Sequence, residues 1–192
     1  MADINPAGDS GDVGAHVAHG EPPAPAAAAG QSQAAPDDTL IGLVELFFFA
    51  YRDFTGEADE ALAELGFGRA HHRVLHFVSR NPGIRVADLL DILKITKQSL
   101  ARVLKQLVDE GYIDQMAGTS DRRERRLYVT FRGESLAREL MALQAKRVAS
   151  ALERAGEKSY HSAESFLYAM ISPGERQRVQ QLLRGSNPVS SE

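Results

Sequence analysis

Lys97, Gln98, Ser99, Arg102 and Lys105 fall on the outward side of a helix read over residues 97–110, whose inward positions are Leu100, Val103, Leu104 and Leu107. Residues three and four apart share a helical face, so this spacing separates an apolar stripe from a polar, mostly cationic one. Glutamine pairs with adenine and arginine with guanine through two parallel hydrogen bonds, which makes Gln98 and Arg102 candidates for direct base reading. Lys97, Ser99 and Lys105 suit phosphate oxygens. Further along, Asp121, Arg122, Arg123, Arg125 and Arg126 form a second cationic site. An arginine at a hairpin tip can enter a narrow minor groove, where the negative potential is strongest, and an adjacent aspartate can orient its guanidinium. A charged loop alone is usually just solvated. A basic loop one strand beyond a basic helix face is the more specific pattern.

The elements that must carry these residues can be read from periodicity. Leu40, Leu43, Val44, Phe47, Phe48 and Tyr51 recur at helical steps, widened by Leu46 and Phe49, and predict a helix over 39–57 with more apolar surface than one neighbour can cover. Val74, Leu75 and Val78 mark a helix over 69–80, ended by Asn81, Pro82 and Gly83. A short helix over 86–93 follows, and Thr96 stands as N-cap of the 97–110 helix, with Gly111 at its end. Residues 113–117 and 125–130 read as two strands joined by a polar loop, with Leu127 and Val129 on one face. A long helix from 132, carrying Leu136, Leu140, Leu143, Val148 and Leu152, runs to Gly156, and Ser172 with Pro173 opens a last helix to about 184. The fold class is therefore mainly α with a small β-hairpin. Three short helices followed by a hairpin are the order of a winged helix-turn-helix, with helices at both ends available for dimerisation.

Composition sets the boundaries. The net charge is −4, but residues 1–38 hold six acids and no Lys or Arg, leaving 22 basic against 20 acidic residues in the remainder, a net charge of about +2. Residues 1–37 are rich in Ala, Pro and Gly, acidic, and poor in large apolar side chains, so they read as a disordered tail in which His16 and His19 lack supporting ligands. Residues 38–184 form the folded domain, with 68–131 as the candidate DNA-binding lobe between the helices at 39–57 and 132–184, and 185–192 form a flexible tail. The absence of cysteine excludes disulfides, thiolate metal sites and thiol redox sensing. No secretory signal or membrane-length apolar run is present, which points to a cytoplasmic protein without a membrane partner. Ser, His and Asp are present without a nucleophile elbow, phosphate loop or paired carboxylates, so the chain does not read as an enzyme and no cofactor is expected.

Residues 95–113, ITKQSLARVLKQLVDEGYI, followed by 121–130, DRRERRLYVT, and then Gly133 and Glu134, resemble the MarR family of bacterial winged helix-turn-helix regulators over about residues 39–184. The resemblance implies a transcriptional regulator, a repressor in many members, that binds a near-palindromic operator in double-stranded DNA as an obligate homodimer. The first and last helices would then form the interface, placing Leu40, Leu43, Phe47, Phe48, Phe166 and Leu182 there. It aligns Thr96, Gln98, Ser99 and Arg102 with DNA-contacting or capping positions, and Asp121 with Arg123 as the wing element, Arg122 competing for that place. Two departures stand out. Lys94 occupies a turn position where such sequences often have Gly, which implies a left-handed backbone there. The stretch from 133 to 172 is also longer than usual, and 160–171 is read either as an extra interface helix or as a surface for another partner.

Family members often bind small aromatic effectors between the two lobes. Tyr51, Arg52, His72, His76 and Phe77 are the candidates for such a cleft, the plainer reading being that they pack the first two helices together. His72 and His76, one turn apart, have a metal-compatible spacing but no third ligand, so no metal site is assigned. The alternative from another class is a winged-helix module that docks on the transcription machinery. Clustered Lys and Arg favour DNA, because interface cores are depleted in Lys.

Overall fold

The structure, a computed structural model, describes residues 37–118, 124–156 and 158–185. His16 and His19, residues 1–36 and 186–192 of the expected tails, and Asp121, Arg122 and Arg123 of the wing lie outside the described residues.

The element order is α1 (Asp38–Ala63), α2 (Arg69–Arg80), β1 (Ile84–Arg85), α3 (Val86–Leu93), α4 (Lys97–Asp109), β2 (Ile113–Ala117), β3 (Arg125–Val129), α5 (Phe131–Ala155), α6 (Ser159–Met170) and α7 (Pro173–Gly185). One core joins the C-terminal half of α1 to the winged helix. Ala58 and Leu62 of α1 meet Val74, Leu75 and Val78 of α2, Leu89 and Leu93 of α3, the four inward residues of α4, and Leu136 and Leu140 of α5. Each such Leu or Val contributes roughly 1.5–3 kcal/mol by leaving water, so the apolar stripe of α4 fixes which of its faces stays outside.

Two features differ from the sequence reading by more than a single residue at an element's end. α1 runs to Ala63 rather than 57, because Ala58 and Leu62, four residues apart, continue its buried face. The hairpin is part of a three-stranded antiparallel sheet of order β1-β3-β2, with Ile84 opposite Leu127 and Ile113 opposite Val129. A two-residue strand is too short to show alternation in sequence. It exists because Gly83, at φ 80°, turns the chain so that its amide donates to the Leu127 carbonyl at 2.8 Å.

Lys94 adopts the left-handed conformation expected of it, at φ 52° and ψ 43°, as the C-cap of α3, at a cost of about 1 kcal/mol. The junction of wing and α5 is tightly built. Thr130 caps α5 by accepting the Gly133 amide at 3.1 Å, and its hydroxyl donates to the Gly111 carbonyl at 2.7 Å. A β-carbon on Gly133 would stand 2.0 Å from the Tyr112 carbonyl oxygen, so only glycine allows this approach.

Candidate nucleic-acid interface

α4 is held from both ends. At its start the Thr96 hydroxyl accepts the Ser99 amide at 3.1 Å while lying 2.9 Å from the Ser99 hydroxyl. These two residues therefore order the first turn of the helix, a capping arrangement worth about 1 kcal/mol. At the far end Arg132 donates to the Glu110 carbonyl at 2.9 Å and lies over the Tyr112 ring at 4.2 Å. Midway, Gln106 lies 2.9 Å from His71 Nε2, and the Gly68 amide donates to His71 Nδ1 at 3.1 Å. The second bond makes Nδ1 the acceptor and Nε2 the donor toward the Gln106 side-chain oxygen.

With Leu100, Val103, Leu104 and Leu107 inside, Lys97, Gln98, Arg102 and Lys105 are exposed together along one side of α4. Lys105 also pairs with Asp109. Among the described residues, the two arginines of β3 take different tasks. Arg125 joins Lys97 and Lys105 along a concavity of about 820 Å³ between α4 and the sheet. Arg126 turns inward to the Gly83 carbonyl and Glu124, both at 3.4 Å. Arg85 bonds both oxygens of Asp88 at 2.7 Å and reaches Glu124 at 3.4 Å. That pairing raises the Arg85 pKa and holds the Asp88 carboxyl below its ordinary range. Arg126, a member of the second cationic site read in sequence, and Arg132 just beyond it both bond backbone carbonyls in the fold, and Arg126 also bonds a carboxylate.

The second candidate site is a cleft of about 500 Å³ between α1, α2 and α5, and Tyr51, His72, His76 and Phe77 all line it. Arg52 does not. Its guanidinium pairs with Asp53 at 2.8 Å and lies over Phe49. The cleft arginines are Arg69, bound to Asp59 at 2.5 Å, and Arg73, which donates to the Leu93 carbonyl at 3.1 Å. Sequence reasoning passed over both, although their spacing from His72 and His76 on one helix was available. Met141 and Val148 of α5 close the other wall, a tertiary contact that no local pattern announces. Burial pushes the His72 imidazole below its ordinary pKa, against the opposing pull of Asp59, and burial with the charge of His72 and Arg80 does the same for His76. Among the described residues no group of three or more His, Cys, Asp or Glu is placed to hold a metal ion. No described helix is long and apolar enough to cross a membrane.

Leu40, Leu43, Phe47 and Phe48 are exposed along the N-terminal half of α1, as is Phe166 on α6. Leu182 is half-buried within its own subunit, beside Ile84 and Ile92.

A helix-turn-helix, a basic exposed face on its second helix and a hairpin carrying a further arginine define a winged helix-turn-helix domain of the nucleic-acid-binding type. Comparison with known proteins agrees. A model of the MarR family matches residues 65–124. The chain is 42% identical over 146 residues to the HTH-type transcriptional regulator PetP of Rhodobacter capsulatus, a match spanning 76% of this chain and 88% of PetP. It is 31% identical over 87 residues to the HTH-type transcriptional repressor Rv2887 of Mycobacterium tuberculosis, spanning 45% of this chain and 63% of that one. Among solved structures, the transcriptional regulator SlyA superposes with a TM-score of 0.58 at 20% identity, covering 74% of this chain and 96% of SlyA. A MarR mutant from E. coli complexed with operator DNA superposes with a TM-score of 0.55 at 19% identity, covering 71% and 97%. The chain belongs to the MarR family and is a helix-turn-helix transcriptional regulator.

Proposed function

We propose that this regulator binds a near-palindromic operator in double-stranded DNA as a homodimer, each subunit placing α4 in a major groove. The observation that carries this reading is the exposed run Lys97, Gln98 and Arg102 in the first half of α4, opposite its buried stripe. Gln98 and Arg102, one turn apart, read base edges, while Lys97, Lys105 and Arg125 neutralise phosphates. Thr96 and Ser99 hold the first turn of α4 in shape. On sequence alone, Asp121 with Arg123, or Arg122 in its place, serves the minor groove.

The homodimer is supported by α1. Phe48 is 67% exposed, and Leu40, Leu43 and Phe47 lie with it on a stretch that also exposes Val44, Leu46 and Phe49. A soluble monomer rarely shows so much contiguous apolar surface. A second copy covers it, and α6, with Phe166, Leu167 and Met170 exposed, joins the same interface. On this reading residues 39–57 and 132–184 pair the subunits, and 68–131 is the DNA-binding lobe. The cleft between α1, α2 and α5 takes a small effector with an aromatic body and an anionic group. Its size lies in the usual range for ligand pockets, and Phe77, Met141 and Val148 line it together with Arg69 and Arg73. The protein works by binding, in the cytoplasm and without a catalytic step, as a repressor wherever its operator overlaps a promoter.

Selection from a random pool of duplex DNA, with sequencing of the retained fraction, tests the reading. Wild type should recover inverted half-sites about one helical turn apart, and Arg102→Ala should lose preference at one position per half-site by about 1–3 kcal/mol. Phe47→Asp should shift the solution mass to that of one chain. A wild type that retains no sequence, or equal retention by Arg102→Ala, would overturn the assignment.

A further inference from the structure

The DNA reading leaves Lys94 without a task. Among the described residues it is the sole non-glycine with positive φ. Glycine would take this conformation without steric penalty, so a lysine here calls for a use of its side chain. Its ammonium lies 3.0 Å from the Glu175 carboxylate on α7. Three residues along α7, Arg178 donates to the backbone carbonyl of Asp88 at 3.1 Å and lies 3.8 Å from the Asp91 carboxylate. Residues 88, 91 and 94 are spaced by three, so one side of α3 and the turn that follows it are held by one side of α7.

From these contacts two routes lead to the DNA-reading parts. Lys94 is two residues before Thr96, the N-cap of α4. Asp88 bonds Arg85, which reaches Glu124 at the base of the wing. Arg178 is 32% exposed at its side chain, the least exposed of the charged groups in this contact, and its bond to a backbone carbonyl is charge-assisted. An exposed ion pair alone is worth little. Here the Lys94 pair and the Arg178 bond are carried by one helix and act on one rigid segment, so neither has to hold the turn alone.

We infer that Glu175 and Arg178 are positioning residues for DNA recognition. The C-terminal helix latches the turn of the helix-turn-helix and so sets the angle of α4 relative to the helices proposed to pair the subunits. The latch gives Lys94 its reason to replace glycine, and it gives any change in subunit pairing a direct path to α4. The competing use of Lys94, a direct phosphate contact, makes the opposite prediction. Glu175→Gln would then free a cation and remove an anion, and DNA would bind more tightly.

Hydrogen exchange on the full chain without DNA gives the first test. The Glu175→Gln, Arg178→Gln double variant should exchange the amides of Ser99 and Leu100, which are bonded to the Thr96 side chain and carbonyl, at least threefold faster than wild type, with amides in the middle of α2 and the solution mass unchanged. The second readout, which alone rests on the DNA reading, is affinity for the duplex recovered by selection and for a scrambled duplex of equal length. The double variant should lose about tenfold on the first and under twofold on the second. The salt dependence should be unchanged, because no phosphate contact is removed. Reversal of the pair, Lys94→Glu with Glu175→Lys, should bind better than Lys94→Glu alone. Unchanged exchange at Ser99 and Leu100, or tighter DNA binding by Glu175→Gln, would overturn the latch. Failure of wild type to retain any duplex would count against the operator reading and leave the exchange result standing by itself.

Discussion

Arg73 lines the cleft between α1, α2 and α5 and donates from its guanidinium to the carbonyl of Leu93 at 3.1 Å, the last residue of α3 before the turn that leads into α4. One side chain therefore touches the proposed effector cleft and the element next to the helix proposed to read DNA. An anion in the cleft would compete with the Leu93 carbonyl for the same donor.

Replacing Arg73 by Met should separate these two duties. The loss of the bond to Leu93 should lower stability by about 1 kcal/mol and weaken binding to the selected duplex. An aromatic sulfonate dye such as anilinonaphthalene sulfonate, binding the wild-type cleft, should release DNA from wild type and not from Arg73→Met. Fluorescence titration in the presence of labelled duplex measures both. Equal release from the two proteins would remove Arg73 from the path.

Thr96→Ala should destabilise the first turn of α4. The side chain accepts the Ser99 amide at 3.1 Å, and loss of such a cap costs about 1 kcal/mol. Thr96→Ser keeps the oxygen and should restore both the denaturation midpoint and duplex affinity. A serine variant as weak as the alanine one would mean that the methyl group, not the cap, matters.

Gly133→Ala should cost about 1–3 kcal/mol, because the added carbon would meet the Tyr112 carbonyl oxygen at 2.0 Å and backbone must move to admit it. Gly174→Ala, with nothing within 4 Å, is the matched control and should be close to neutral. Urea denaturation of both variants decides the point, and similar midpoints would contradict the packing described at the start of α5.

Stability should fall as pH drops through the histidine range. Burial depresses the pKa of His72 and His76 from the ordinary 6.5, so the unfolded chain takes up these protons first. Above 6.5 both forms are neutral and the histidines add no pH dependence. Below it stability is lost with each step down, until the depressed folded-state values are passed. The thermal midpoint should therefore fall as the pH is lowered below about 6.5, and His72→Gln should flatten that slope. An unchanged slope in the variant would assign the dependence to other groups.

The span and capping of α4 were almost wholly legible in sequence. Its predicted span, 97–110, ends one residue beyond the observed Lys97–Asp109, and both the Thr96 cap and the left-handed Lys94 are present. These are local matters. An apolar stripe at helical spacing, a cap residue and a turn position depend on neighbours within a few places along the chain, where side-chain identity alone carries the preference. The candidate cleft was legible only in part: His72 and His76 stand one turn apart on α2, whereas Tyr51, on α1, meets them through packing.

What only the tertiary structure decided are pairings between distant residues. Ile84 becomes a strand because Leu127 is there to receive it. Arg69 and Arg73 line the cleft while bonded to Asp59 and to the Leu93 carbonyl, 10 and 20 residues away, whereas Arg52 pairs with its neighbour Asp53. Arg126 and Arg132 look in sequence like the other cations of a basic patch, and the fold assigns them to Gly83, Glu124 and the Glu110 carbonyl. Periodicity and turn residues therefore determined the order of elements and the exposed face of α4, and the motif residues between 95 and 134 carried the resemblance to the family. Which charges face solvent and which brace the frame was settled only when backbone carbonyls and carboxylates far apart in the chain were brought within hydrogen-bonding reach.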